Sequence, residues 1–200
     1  MNFLAIDTST DICSIALYIN NEIIDTSDKL VDSSHSKLLA TDVDLIIKNN
    51  KIKFNDLDFL VLSIGPGSYS GLRVGSSFIK GLGYATKKKV IPINTIHSMN
   101  LELNFTGSYY VGIFSHRDYI FYQEFLNGKP IGEQACDRIS NLKSIKIFGY
   151  GLDKISNIAY TEVKPSSVNL VNYLIKNYDV LLSNKKHITN ISPIYLAKKT

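Results

Sequence analysis

The stretch that decides the fold is Ile64-Gly65-Pro66-Gly67-Ser68-Tyr69-Ser70-Gly71-Leu72-Arg73-Val74-Gly75. It follows an apolar run over 59–64, which predicts a strand, and it leads into a helix predicted over 70–86. Gly65 and Gly67 can adopt backbone angles that other residues avoid, and Pro66 stiffens the turn between them. Because backbone N–H groups and the positive end of the helix dipole meet at such a turn, it is suited to bind an anion.

A second polar segment, Asp7-Thr8-Ser9-Thr10, ends the first predicted strand. An acid followed by hydroxyl groups at a strand end can hold hydrated magnesium and phosphate oxygens. A hairpin capped by an Asx or Ser/Thr turn explains the same residues equally well. The candidate phosphate-binding residues of the two segments are Asp7, Thr8, Ser9, Gly65, Gly67 and Ser68.

The composition is that of an ordinary globular chain of 200 residues, of which 44% are hydrophobic and 20% are charged. Cys13 and Cys136 form no C-x-x-C pair, which argues against a disulfide framework or zinc ribbon and fits a reducing compartment. No apolar run approaches the roughly 20 residues that span a bilayer, and the opening residues lack the basic region of a signal peptide. We therefore expect a cytoplasmic protein that does not bind membranes.

The net charge of +4 is carried partly by short lysine clusters at 87–89, 185–186 and 198–199. These clusters contain no interleaved aromatic residues of the kind on which nucleic-acid bases stack. Short charge runs are usually solvated surface. We therefore expect a solvated surface at these lysines, with a dedicated tRNA contact as the alternative.

The apolar patterns predict two halves of similar order. In the first half they predict strands over 3–6, 13–19 and 22–26, a helix over 34–49, a strand over 59–64, a helix over 70–86 and a strand over 90–93. In the second half they predict strands over 109–114 and 119–125, a short helix over 137–142, a strand over 145–148, a glycine turn over 149–151 and a helix over 165–178. We predict two packed α/β lobes, formed by residues 1–98 and 99–200. The second lobe is abbreviated, and its C-terminal segment is able to pack back on the first.

The helix predicted over 70–86 is unusual because it contains four glycines: Gly71, Gly75, Gly81 and Gly83. Each costs about 1 kcal/mol relative to alanine in a helix interior. Gly71 and Gly75 share one face, beside an apolar stripe, and small residues there allow another backbone to approach closely. Two explanations remain open, namely packing against the sheet of the same chain and a helix–helix interface with a second chain.

The sequence does not supply a recognisable catalytic group. Its four histidines are scattered: His35, His97, His116 and His187. His35 begins an H-x-x-x-H pattern whose second position is Leu39, and a lone imidazole rarely binds a metal tightly. The glycine turn matches neither a P-loop nor a G-x-G-x-x-G fingerprint, and the nearest lysine, Lys80, lies far along the helix. We predict no catalytic residue, no metal and no cofactor.

Several segments resemble the TsaB (YeaZ) family in their order along the chain. They are residues 7–10 with 13–16, His35-Ser36, the run 65–75, Gly149-Tyr150-Gly151 and Pro193-Ile194-Tyr195-Leu196. The likeness is strong over residues 1–98 and thinner beyond them, where Ser115-His116-Arg117 stands in place of the usual Asp-Ala-Arg. It implies the actin/sugar-kinase/Hsp70-like (ASKHA) fold, in which each of two lobes follows a βββαβα plan.

The resemblance also implies a function and partners. TsaB proteins are the non-catalytic partners of TsaD, and together with TsaE they install threonylcarbamoyl on the adenosine next to the anticodon. The chain is thus expected to form a heterodimer with TsaD, to work with TsaE, to meet tRNA through the complex, and to be able to pair with a second copy when alone. The implied interface on the helices 34–49 and 70–86 consists of Leu39, Val43, Ile46, Gly71, Val74, Gly75, Phe78 and Leu82. The alternative is a nucleotide-binding phosphotransferase or ATPase of the ASKHA fold, which would use Asp7 and the glycine turns.

Overall fold

The computed structural model describes residues 1–31, 35–183 and 191–198. The first half contains β1 (Phe3–Asp7), β2 (Ile12–Ile19), β3 (Glu22–Leu30), α1 (His35–Asn49), β4 (Phe59–Ser63), α2 (Tyr69–Thr86), β5 (Lys89–Ile93) and α3 (Thr95–Leu101). The second half contains β6 (Ser108–His116), β7 (Tyr119–Leu126), β8 (Lys129–Arg138), β9 (Lys146–Tyr150), β10 (Thr161–Glu162), α4 (Ser167–Lys176) and α5 (Tyr178–Ser183).

The strands form two sheets that follow the same plan. The first sheet has the order β3-β2-β1-β4-β5, and the second has the order β10-β9-β6-β7-β8. In each sheet three consecutive strands form an antiparallel meander. A fourth strand pairs in parallel with the first strand of the meander, and a fifth pairs in parallel with the fourth. The repeat predicted from the sequence is therefore confirmed as two α/β lobes.

β1 is buried on both faces of the first sheet, which explains why its first four residues are all apolar. Leu4 and Ile6 pack with α1 and α2 on one side. Phe3 and Ala5 alternate with them and pack with α4 on the other side. The first sheet is thus covered on one face by its own helices and on the other by a helix from the second half of the chain.

Two serines fix the start of α4 against β2. The Ser167 N–H donates to Ser14 Oγ over 2.7 Å, and the hydroxyl of Ser14 donates to Ser167 Oγ over 2.8 Å. Both side chains are fully buried. Because a buried polar group is costly without a partner, this pair sets where α4 begins on the first sheet.

Part of the second half differs from the sequence prediction. The prediction of a short helix over 137–142 is wrong. Asp137 and Arg138 belong to β8, and Ile139–Asn141 form one 3-10 turn. In the predicted turn 149–151, the first two residues lie in β9 and only Gly151 has a positive φ, of 70°. The sequence did not predict α3, β8, β10 or α5. Ser34, Lys185, Lys186, His187 and Lys199 lie outside the described residues.

Candidate functional site

The glycine turn between β4 and α2 closes on the segment after β1. The Ser68 N–H donates to the Ser9 carbonyl over 2.6 Å. A Cβ atom added to Gly67 would collide with that same carbonyl group. The turn therefore binds an oxygen of its own chain at the place where the sequence suggested an external phosphate.

The inward face of α2 packs on Thr8 in the same manner. A Cβ added to Gly71 would collide with the Thr8 carbonyl oxygen, and one added to Gly75 would collide with Thr8 Oγ1. The Thr8 hydroxyl donates to the Gly71 carbonyl over 2.8 Å. The structure thus corrects the expectation for Gly71 and Gly75, which contact the first sheet of their own chain instead of presenting a surface to a partner.

Three apolar residues of the expected interface on α1 are also internal. Leu39, Val43 and Ile46 are between 1% and 5% exposed and belong to the core between α1, α2 and the first sheet. Burial of such side chains stabilises the chain by roughly 1.5–3 kcal/mol each. The expectation that they contact a partner is therefore corrected for Val43 and Ile46, while Leu39 forms the floor of a surface groove described below.

Asp7 is held within the first lobe. Its side chain is 2% exposed, and Oδ1 accepts the Ser9 N–H over 2.7 Å. Burial raises the pKa of Asp7, and the opposing hydrogen bonds from Ser9 and Ser63 do not cancel that effect. Burial within hydrogen bonds of its own lobe suits a structural role for this carboxyl.

A cleft of about 560 Å³ separates the two lobes. Ser9, Gly67 and Ser68 line it from the first lobe, whereas the other candidate phosphate-binding residues do not line it. His35 also lines it, and its Nε2 lies 2.7 Å from the Thr10 carbonyl. Because a carbonyl only accepts, Nε2 carries the proton and Nδ1 is left without a partner among the described residues.

Three side chains join the lobes at the edge of this cleft. The Tyr150 hydroxyl donates to Asp11 Oδ1 over 2.8 Å, and Lys154 Nζ lies 3.2 Å from Asp11 Oδ2. Burial would raise the pKa of Asp11, but the hydrogen bonds from Tyr150 and Lys154 outweigh it and lower that pKa. Burial and the bond to Asp11 raise the pKa of Tyr150. Sequence reasoning missed this link because Asp11 is 139 positions from Tyr150 and 143 from Lys154, and only the flanking glycines drew attention to Tyr150.

Within residues 1–31, 35–183 and 191–198, no three side chains of histidine, cysteine, aspartate or glutamate come together as a metal site. Leu39, at the second position of the H-x-x-x-H pattern, is 1% exposed and lies in the core. In the same described ranges, the helices are too short or too polar to cross a membrane.

A groove of about 340 Å³ opens between α1 and α2 on the surface away from the sheet. It is lined by Ser36, Leu39, Arg73, Val74, Ser77 and Phe78. We call it the α1–α2 groove. Val74 and Phe78 of the groove and Leu82 beyond it are partly exposed, at a spacing of four residues along α2. That spacing places them in one row on the helix surface.

Comparison with known proteins identifies the family. The family model described as TsaD, tRNA N6-adenosine threonylcarbamoyltransferase, matches residues 22–186. The tRNA threonylcarbamoyladenosine biosynthesis protein TsaB of Haemophilus influenzae is 28% identical over 221 residues, which cover 98% of this chain and 93% of that protein. The chain belongs to the TsaB (YeaZ) branch of the TsaD family.

Solved structures agree with a TsaB-type fold. YeaZ from Pseudomonas aeruginosa superposes with a TM-score of 0.74 at 18% identity, covering 98% of this chain and 99% of that one. The activator of 2-hydroxyisocaproyl-CoA dehydratase from Clostridium difficile, solved with bound ADPNP, has a TM-score of 0.52 at 8% identity, covering 96% and 100%. These likenesses confirm the two-lobed ASKHA fold that the resemblance implied.

Proposed function

We propose that this chain is a non-catalytic subunit in tRNA threonylcarbamoyladenosine biosynthesis. In this proposal it binds TsaD, and TsaD then works with TsaE in the cytoplasm to modify the adenosine next to the anticodon. Family membership and the name of the Haemophilus influenzae relative support the pathway. The observation that carries the docking role is the partly exposed apolar row on α2, of which Val74 and Phe78 line the α1–α2 groove.

The shape of this surface suits a partner helix. Val74, Phe78 and Leu82 form a ridge in which each residue is four positions from the next, and ridges of that spacing pack into the grooves of a second helix. Gly81 lies beside the ridge, is exposed, and has open space where a Cβ would stand. The glycine that is free to admit a partner backbone is therefore Gly81. When TsaD is absent, we expect the same surface to pair with a second copy of the chain.

Three local geometries support a role without catalysis. The glycine turn is closed by the Ser9 carbonyl, so its Ser68 amide is already bonded. Asp7 is buried with a raised pKa. Leu39 occupies the position where an H-x-x-x-H pattern would need its second imidazole.

The cleft between the lobes favours one second candidate, a nucleotide-binding phosphotransferase or ATPase. Its volume of about 560 Å³ is enough for a small ligand. Calorimetry with ATP and magnesium separates the two functions. The docking proposal predicts no heat of binding, whereas saturable binding of ATP would favour the second candidate.

Reconstitution tests the docking function directly. TsaD, TsaE, threonylcarbamoyl-adenylate and substrate tRNA are combined with and without this chain, and the modified nucleoside is measured by mass spectrometry. We expect product only when the chain is present with TsaD, and none from the chain alone. Full activity of TsaD and TsaE in its absence would contradict the proposal.

A further inference from the structure

A second surface groove lies at the C-terminal end of α2. It has a volume of about 720 Å³ and is distinct from the α1–α2 groove, with which it shares no lining residue. We call it the lysine groove, and its lining includes Lys80, Tyr84, Lys87, Lys88 and Lys89. No acidic side chain is among the described residues that line it.

The positive charge in this groove is not neutralised locally. Within the described residues, Lys80, Lys87 and Lys89 have no ion-pair partner, and Lys88 Nζ donates to the Asn55 carbonyl over 2.9 Å. By contrast, Lys48 on α1 pairs with a carboxylate over 2.7 Å. Several like charges that converge on one concave surface raise the potential there and attract a polyanion.

The groove also holds an aromatic ring that faces solvent. Tyr84 is 91% exposed, which is more than any other large hydrophobic side chain in the described residues. The sequence shows no aromatic residue inside the lysine clusters, but the turn of α2 places Tyr84 four residues after Lys80 and three before Lys87. A ring with so little contact to its own chain adds little to the core and is free to stack on a ligand.

Helix capping does not explain this combination. Positive charge near a helix C-terminus is favourable because the dipole is negative there, and Lys87 caps α2. Lys80 lies well before the last turn, however, and the Tyr84 ring carries no charge. A surface that joins unpaired lysines to an exposed ring matches the way in which proteins bind single-stranded nucleic acid.

We propose that the lysine groove binds RNA, with its lysines on backbone phosphates and Tyr84 stacked on an unpaired base. The identification of that RNA as tRNA rests on the proposed function. The lysine groove and the α1–α2 groove share no lining residue, so each can be altered by substitutions that leave the lining of the other intact. RNA binding and TsaD binding can therefore fail separately.

The test uses the full chain alone and measures the fluorescence anisotropy of a labelled single-stranded RNA. Three phosphate contacts on a single strand predict about a 20-fold loss of affinity between roughly 50 and 200 mM salt. Removal of two contacts in the double variant Lys87→Gln/Lys89→Gln reduces that loss to about threefold. The matched control, Lys129→Gln/Lys146→Gln, removes two exposed lysines of the second lobe and should leave both affinity and salt dependence unchanged.

A second set of measurements distinguishes RNA from an acidic protein as the ligand of the lysine groove. Tyr84→Ala should lower RNA affinity at least about fivefold, because stacking on an aromatic ring is lost, and Tyr84→Phe should retain it. Poly-glutamate, a polyanion without bases, should bind more weakly and show no difference between Tyr84 and its alanine variant. The proposal is overturned if the control variant weakens RNA binding as much as the groove variant does, or if poly-glutamate binds as tightly as RNA. Light scattering with TsaD, run on the same variants, reports the docking function independently.

Discussion

Both faces of α2 carry glycine, but the inward face packs on its own lobe and the outward face is open. On the inward face Gly71 and Gly75 lie against Thr8, so their missing side chains allow the helix to approach the strand end of its own lobe. On the outward face Gly81 has open space around it, beside the partly exposed row that includes Phe78. One glycine-rich sequence thus serves internal packing on one side and leaves a surface free for a partner on the other.

The largest loss of stability should come from a substitution on the inward face, at Gly71. Gly71→Ala places a Cβ against the Thr8 carbonyl, which belongs to the backbone and cannot move alone. We expect a loss of about 3 kcal/mol in the free energy of unfolding, at the upper end for overpacked sites. Urea denaturation measures it, and a variant as stable as the parent would show that α2 does not sit tightly on β1.

A substitution at Gly75 should cause a smaller loss in the free energy of unfolding. A second substitution should restore part of that loss. Gly75→Ala meets the Thr8 hydroxyl, which is a side-chain atom, so we expect a loss of about 2 kcal/mol. Thr8→Ala removes that atom and should recover at least about 1 kcal/mol in the double variant. The same Thr8→Ala should not rescue Gly71→Ala, since the carbonyl remains. If Thr8→Ala restored stability equally in both glycine variants, Gly71 would not be limited by the backbone and Gly75 by the side chain of Thr8.

The acid beneath this face should respond to pH. Because burial raises the pKa of Asp7 above its ordinary value of 3.8, the unfolded chain loses that proton at lower pH than the folded chain. Stability should therefore fall as pH rises from 3.8 through the folded pKa, with a slope of at most about 1.4 kcal/mol per pH unit, and then level off. Asp7→Asn, whose amide oxygen can still accept the Ser9 N–H, should lack this component. If the free energy of unfolding of the parent and of Asp7→Asn changed with pH in parallel, Asp7 would not have a raised pKa in the folded chain.

The smallest change should be a gain in stability from a substitution on the outward face. Gly81→Ala adds a Cβ in open space within a helix, so it should stabilise the chain by about 1 kcal/mol. Thermal or urea unfolding measures the gain. Compared with Gly71→Ala, the same substitution ten residues earlier, it should have the opposite sign. A loss at Gly81 would mean that this face is not free.

The sequence predicted the elements whose apolar pattern is long or continuous. β1, β4 and α2 were found within about two residues because both faces of the strands are buried and the helix carries a long apolar stripe. β8 was missed because most of its first half is exposed at a sheet edge, so its sequence carries no alternation. β10 has two residues and α3 has seven, which is too little for a periodic signal.

The site was less predictable than the fold, since it depends on contacts between distant residues. The sequence identified the glycine turn and the segment 7–10, but not that Ser9 fills the turn. It could not show that Asp11 meets Tyr150. It left open which way Gly71 faces, because spacing along a helix defines a face without stating what lies opposite it.

The measurement that tests the central claim most directly is light scattering of the chain mixed with TsaD. Ser77 is exposed and lines the α1–α2 groove, so Ser77→Glu puts a charge in the groove without disturbing the core. The matched control is Ser144→Glu, at an exposed position of the second lobe. We predict a heterodimer for the parent and for Ser144→Glu, and separate components for Ser77→Glu. A heterodimer of unchanged affinity with Ser77→Glu would show that the outward face of α2 is not the docking surface.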